Sequence, residues 1–191
     1  MTIGIRQILE KYWGHKSFRY LQEDIIRSVL DGKDTLALLP TGGGKSICFQ
    51  VPAMYTEGFC LVITPLIALM KDQVANLNKR GITAAAIYSG MDYKEIDRTL
   101  DKAIFGKYKF LYVSPERLET EIFLARAEKF NVNLIAVDEA HCISEWGYDF
   151  RPSYLKIANI RKFYPKTPFL ALTATATNQV KVDIQEKLEF K

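Results

Sequence analysis

Three cysteines, two histidines and seven prolines are all that the 191 residues hold of those types, and the scarcity excludes several classes. Cys48, Cys60 and Cys142 make no CxxC pair and no zinc ladder, and an odd count is a poor disulfide framework. Each lies in or beside an apolar run, so reduced, buried thiols and no zinc are expected. No apolar run approaches the ~20 residues of a bilayer span. The segment Met1-Thr2-Ile3-Gly4-Ile5-Arg6 also lacks the apolar core of a signal peptide. A cytoplasmic or nuclear protein, neither secreted nor membrane-bound, is the expectation. Charge of one sign is scarce too. With 26 Lys and Arg against 22 Asp and Glu, the net +4 permits a polyanionic partner without arguing for one. Few glycines and prolines beside 48% hydrophobic residues exclude disorder and collagen-like repeats. Residues 1–191 read as a single domain with a real core.

What is present is alternation. Apolar runs of strand length recur at Thr35–Leu39, Phe59–Ile63, Thr83–Ile87, Phe110–Val113, Leu134–Val137 and Phe169–Leu172. Stretches of helical period separate them, such as Leu66, Leu69, Met70, Val74 and Leu77, or Ile96, Leu100 and Ile104. Within the runs, apolar and polar residues do not alternate. Continuous apolar strands divided by helices predict a mostly parallel sheet covered on both faces, a doubly wound α/β fold. Residues 3–13 and 18–31 read as two further helices ahead of the first strand, and Thr177–Leu188 as a last one.

Ligands of such sheets bind where strands end and helices begin. The loop after the first run is Leu39-Pro40-Thr41-Gly42-Gly43-Gly44-Lys45-Ser46. Three glycines let the backbone turn its N–H groups inward on phosphate oxygens, and a helix starting near Lys45 adds its positive end. Lys45 is placed to reach the β- and γ-phosphates, and Ser46 to set its hydroxyl on Mg²⁺. The general phosphate-loop pattern wants glycine at position 39, where Leu stands. A glycine-rich turn that merely caps a helix is the alternative.

After the run ending at Val137 come Asp138-Glu139-Ala140-His141. Two successive acids at the mouth of a parallel sheet are costly without a cation or a task. Asp138 suits Mg²⁺, and Glu139 suits orienting and deprotonating a water that attacks the γ-phosphate. Capping of a following helix is the plainer alternative. The glycine loop upstream makes nucleoside triphosphate binding the better reading. Beyond the acids, Trp146, Tyr148, Phe150 and Tyr154 gather around Arg151, with Gly147, Asp149 and Pro152 interrupting any strand. That run predicts a loop able to stack unpaired bases, with a core strand as the alternative.

The segment Asp138–His141 followed by Cys142-Ile143-Ser144-Glu145-Trp146-Gly147-Tyr148-Asp149-Phe150-Arg151-Pro152 closely resembles the RecQ family of DNA helicases. The resemblance extends to Trp13-Gly14 with Phe18-Arg19 and Gln22, and to the phosphate loop, whose Leu39 the family shares. Ile63-Thr64-Pro65-Leu66, Tyr112-Val113-Ser114-Pro115-Glu116-Arg117-Leu118 and Ala171-Leu172-Thr173-Ala174-Thr175-Ala176-Thr177 carry it further. It implies a RecA-like domain of an ATP-dependent motor that moves 3′→5′ along single-stranded DNA and opens duplexes in repair and recombination, in a bacterial nucleoid or a nucleus. Among the residues, it implies that Gln22 reads the adenine edge and Arg19 stacks on the ring. His15 falls where a second stacking residue is found, though a plain surface-turn residue fits equally. His141 would link the nucleotide to Thr173 and Thr175, with a loop histidine satisfied by a carbonyl as the alternative. Trp146, Phe150 and Arg151 would couple DNA to hydrolysis.

Thr64-Pro65 is predicted as an N-cap and first helical residue, and Ser114-Pro115 repeats the arrangement near Arg117. Phosphate contact by Thr64, Pro65 and Arg117 comes from the resemblance alone. It also implies a second RecA-like domain of the same parent chain that supplies an arginine finger. A fragment without that domain would be a nucleotide- and DNA-binding module with negligible turnover. A small-molecule kinase is disfavoured, having no use for Gln22 or the aromatic loop.

Overall fold

The computed structural model describes residues 4–191. All six apolar runs form strands: β1 (Thr35–Leu38), β2 (Phe59–Ile63), β3 (Ala84–Ile87), β4 (Phe110–Val113), β5 (Val132–Val137) and β6 (Phe169–Thr173). They make one sheet in the order β1-β6-β5-β2-β4-β3, with every pairing parallel. Strands β2, β4 and β6 are buried at every position, which is why their sequences show no alternation.

Alternation reappears in the packing. Leu61, Ile63, Leu111, Val113, Ile135, Val137 and Ala171 face one apolar cluster, and Cys60, Val62, Phe110, Tyr112, Leu134, Ala136 and Leu172 face another. The first is covered by α5 (Tyr93–Ile104), α6 (Glu121–Ala127) and α7 (Asn178–Lys187); the second by α2 (Gln22–Leu30), α3 (Lys45–Tyr55) and α4 (Ile67–Lys79). Helix α1 (Ile5–Trp13) lies outside these helices, with its Tyr12 and Trp13 against the edge of the second cluster. Its Ile8 and Leu9 pack on Ile26 of α2 and Val51 of α3, so it braces the helix that follows the glycine loop.

Several expectations need correction. The expected start of the first helix at residue 3 lies outside the described residues. The second begins at Gln22 rather than residue 18, because Leu21 takes the left-handed conformation (φ 65°) and the Gln22 side chain folds back onto the Arg19 N–H. Thr64 does not cap α4: the helix starts at Ile67 with Leu66 before it, and Thr64 continues the sheet through its N–H to the Val113 carbonyl (3.1 Å). Ser114 does precede a helical turn with Pro115 first, but the turn is 3₁₀ and the hydroxyl makes no cap bond. The aromatic stretch is not one loop. Residues 140–143 form a short 3₁₀ helix and Pro152–Lys162 a longer one, which takes Tyr154 into the core. The three cysteines are free and buried, as expected.

Candidate nucleotide site and its aromatic neighbour

Sheet order explains which loops meet. The glycine loop leaves β1, the acids leave β5, and β6 lies hydrogen-bonded between those strands. The Leu39 N–H continues the ladder to the Thr173 carbonyl (3.2 Å), so the last residue of β6 sits beside the start of the glycine loop.

The glycine loop closes on itself through the Gly43 N–H and the Pro40 carbonyl (2.8 Å). A Cβ at Gly43 would lie 2.8 Å from that same oxygen, so the turn admits only glycine. Gly44 has φ 77° and precedes α3, which begins at Lys45 as expected. Thr41 and Gly42 are exposed, while Lys45 and Ser46 at the first turn of α3 are half-buried. The Ile47 N–H bonds the Gly44 carbonyl (3.1 Å), and the Lys45 and Ser46 N–H groups ahead of it begin the helix, the arrangement that favours an anion.

Gln22 and Arg19 reach this loop. The Gln22 carboxamide accepts from the Arg19 N–H (2.8 Å) and donates to the Gly44 carbonyl (3.1 Å), and Arg19 Nη1 donates to the Gly42 carbonyl (2.8 Å). Gln22 is buried, and its amide keeps one N–H and one lone pair beyond these bonds. With exposed His15 and with Gly14, Lys16, Ser17 and Ile47 they line a cleft of about 380 Å³. The three residues expected to meet a nucleotide base therefore share one cleft beside the glycine loop.

Asp138 lies at the end of β5, with its N–H on the Ile63 carbonyl (2.9 Å). Burial, with Glu139 beside it, pushes its carboxyl up to about 6, against the opposing pull of Lys45 and of the Glu139 N–H that it accepts (3.0 Å). Glu139 takes the left-handed conformation (φ 50°, ψ 43°), a strained backbone of the kind that gathers at functional sites. Its Oε2 lies 3.3 Å from His141 Nδ1, which also meets the Thr173 hydroxyl at 2.9 Å. Since Thr173 Oγ1 donates to the Thr175 carbonyl (3.2 Å), its free lone pair takes a proton from Nδ1, and the network assigns that tautomer. Burial holds His141 below the usual imidazole range, against the pull of Glu139 and Asp149. The carbonyl-satisfied alternative for His141 is not what the fold builds.

The aromatic residues divide. Trp146 and Tyr148 are exposed, at 75% and 76%; Phe150 and Arg151 are half-buried, and Arg151 pairs with Asp149 (3.0 Å). Tyr154, fully buried, donates its hydroxyl to the Asp138 carbonyl (2.8 Å) and so holds the acid-bearing turn from beneath. Sequence reasoning assigned it to the loop. Of the other expected contacts, Thr64 is buried with no partner for its hydroxyl, as is Ser114 just past the neighbouring strand β4. Pro65 is half-buried, and Arg117 donates to the Tyr88 carbonyl (3.1 Å). These residues do not join the nucleotide cleft.

Residues 19–182 match the DEAD/DEAH box helicase family. The chain belongs to that family. It is 46% identical over 188 residues to a probable ATP-dependent DNA helicase RecS of Bacillus subtilis, covering 98% of this chain and 38% of that protein. It is 44% identical over 184 residues to an ATP-dependent DNA helicase RecQ of Pasteurella multocida, covering 96% and 29%. The chain thus spans well under half the length of these relatives. In fold it matches the DUF1998 helicase MrfA (TM-score 0.75, 19% identity, 95% of this chain and 27% of that one). It also matches the Hef helicase domain of Pyrococcus furiosus (TM-score 0.69, 22% identity, 91% and 37%). The expected RecA-like helicase fold is the observed one. No helix among the described residues is long and apolar enough to cross a membrane.

Proposed function

We propose that this chain is the ATP-binding motor domain of a RecQ-type DNA helicase, coupling ATP hydrolysis to 3′→5′ movement along single-stranded DNA and to duplex opening in repair and recombination. The observation that carries the reading is the meeting of the glycine loop, the Asp138-Glu139 turn and Thr173 at the carboxyl ends of β1, β5 and β6. The polarity and the biological setting rest on the resemblance.

Phosphates would lie on the N–H groups of the glycine loop and the first turn of α3, with Lys45 neutralising their charge. Gln22 has capacity left for an adenine edge, and Arg19 and His15 flank the same cleft. The residues fit Mg²⁺. Among those described, no group of three or more His, Cys, Asp and Glu could cage a metal. Mg²⁺ is ordinarily held by one or two carboxylates plus nucleotide phosphates and water, and buried Asp138 with Ser46 supplies that share. When bound, the ion would neutralise charge building on the phosphates. Glu139 would orient the attacking water and take its proton, and the Nδ1 contact with His141 supports that reading by restraining the carboxylate. The aromatic loop would stack unpaired bases. A second RecA-like domain of the parent chain would close the cleft and bring the arginine worth ~10³–10⁵ in turnover. The 191 residues by themselves then bind nucleotide and turn it over slowly.

Calorimetry with Mg–ATP on the native chain and on Lys45→Ala tests the reading. Binding lost in a variant that melts like the native chain supports it; unchanged affinity would put the phosphates elsewhere.

A further inference from the structure

We infer that Tyr148 is a positioning residue that seats the His141 ring, and that an unpaired base acts on the nucleotide site by competing for it. The inference rests on the proposed function and names the contact by which its two halves meet.

The loop between the acids and the long 3₁₀ helix is pinned at both ends. At its start Ser144 is fully buried; its hydroxyl donates to Asp183 of α7 and accepts the Trp146 N–H (3.2 Å). Gly147 sits directly on the turn, where a Cβ would come within 2.5 Å of the His141 carbonyl. At its end the Arg151 N–H bonds the Cys142 carbonyl (2.8 Å), and the guanidinium grips Asp149. Only the tip stands free, and of its two exposed rings one turns back. Tyr148 stacks on His141 at 4.2 Å between ring centroids and 22° between planes.

That stack covers one face of the His141 ring. Beneath it, Nδ1 is shared between Thr173 and Glu139. A ring free to tilt would not keep both bonds, so the stack fixes where Glu139 is held. Tyr148 is nevertheless 76% exposed, and its stacking partner is His141. Beside it, a cleft of about 430 Å³ opens between the Trp146 and Tyr148 rings and the Thr175–Thr177 stretch. Its size and aromatic walls suit a nucleobase, and base–aromatic stacking is worth ~1–3 kcal/mol, enough to displace an exposed ring–ring contact of ~0.5–1.5 kcal/mol. A base in this cleft that takes the Tyr148 face now turned to His141 therefore draws the ring away and releases His141.

The test uses the 191-residue chain, whose two histidines, exposed His15 and buried His141, are readily told apart by NMR. Tyr148 is too exposed for its loss to unfold the protein, which tryptophan emission verifies. Tyr148→Leu is expected to move the His141 ring-proton resonances by removing ring-current shielding, and Tyr148→Phe to restore them. Oligothymidylate is expected to shift His141 toward its uncapped position in the native and Phe chains and to leave the Leu chain unmoved. His141 unaltered by Tyr148→Leu would overturn the seating. A labelled strand that binds by anisotropy yet leaves native His141 unmoved would overturn the competition. A strand that fails to bind at all would overturn the DNA reading itself, with the Leu and Phe comparison still deciding the seating.

Discussion

His141 Nδ1 lies 2.9 Å from the Thr173 hydroxyl, joining the turn after β5 to the last residue of β6. Because Thr173 passes its own proton to the Thr175 carbonyl, the bond has a fixed direction. Thr173→Val keeps the shape and removes the acceptor, leaving His141 Nδ1 to Glu139 alone. In a longer chain that carries the proposed second motor domain, turnover is expected to fall about 10-fold or more with little change in ATP affinity, since geometry is lost and not binding. An equal loss in affinity would make Thr173 a nucleotide contact.

Asp138 is held as a buried carboxylate at the expense of the fold. Its carboxyl is pushed up to about 6 because burial and Glu139 disfavour the charge. The folded chain thus holds a proton more tightly than the unfolded one. The penalty is present in full above the folded value and fades as pH falls toward the usual carboxylate range. At ~1.4 kcal/mol per pKa unit it amounts to about 3 kcal/mol at neutral pH. Asp138→Asn is expected to raise the metal-free melting temperature at pH 7 and to abolish turnover. The gap between the two melting curves should close on acidification; a constant gap would trace the gain to packing.

Leu21 stores strain with no comparable return. It has φ 65° and ψ −16° and is 38% exposed, so it loses little by replacement. The left-handed conformation costs a branched residue ~1–2 kcal/mol, and glycine gives back ~0.5–1 kcal/mol in chain entropy. Leu21→Gly should therefore stabilise by about 0.5–1 kcal/mol in thermal melts. A loss of stability would show that the Leu21 side chain contributes packing that its exposure conceals.

At the far end of the sheet, Arg161 and Asp34 are paired at 2.7 Å with 7% and 4% of their side chains exposed. Asp34 also accepts the Phe169 N–H (2.7 Å), and Arg161 lies over the Phe169 ring and donates to the Leu188 carbonyl. The pair ties the starts of β1 and β6 to the end of α7. Removing one partner strands the other charge, so Asp34→Ala is expected to cost about 3–5 kcal/mol in urea titrations. Loss of both, as in Asp34→Ala with Arg161→Met, should cost less than the two single changes combined.

The strands and the two acidic and glycine turns were legible because each signal is local: unbroken apolar runs mark doubly covered strands, and glycines before Lys45 mark a loop that must curl. The structure departs where a side chain's fate depends on a distant neighbour. Tyr148, Phe150 and Tyr154 all sit an even number of positions apart, and nothing in that spacing says that the first caps His141 while the last is buried against the Asp138 carbonyl. The 3₁₀ helix Pro152–Lys162 lacks the 3.6-residue period that would have announced it. Thr64-Pro65 carried a sound capping signal, and the continuing β-ladder to Val113 overrode it.

Asp183 is the clearest residue to escape the sequence. It lies on α7, a helix read only as a chain end, yet both its oxygens are engaged: Oδ2 by the Ser144 hydroxyl at 2.5 Å, Oδ1 by Gln179 at 3.0 Å. The Ser144 bond chiefly holds its carboxyl below the usual range, with Gln179 and Lys187 assisting. Its contribution to stability is therefore present above the unfolded value and lost only as pH drops through the folded one. Since Ser144 accepts the Trp146 N–H, the start of the loop is held through this carboxylate. Asp183→Asn keeps the shape but trades a charge-assisted bond for a neutral one about half as strong. With Trp13→Phe leaving Trp146 as the single tryptophan, Asp183→Asn and Ser144→Ala should each lower Trp146 anisotropy. In the double variant the loss should be no larger than with Ser144→Ala alone, because Asp183→Asn only weakens a bond that Ser144→Ala removes. Additive losses would mean that Ser144 and Asp183 hold the loop by separate routes.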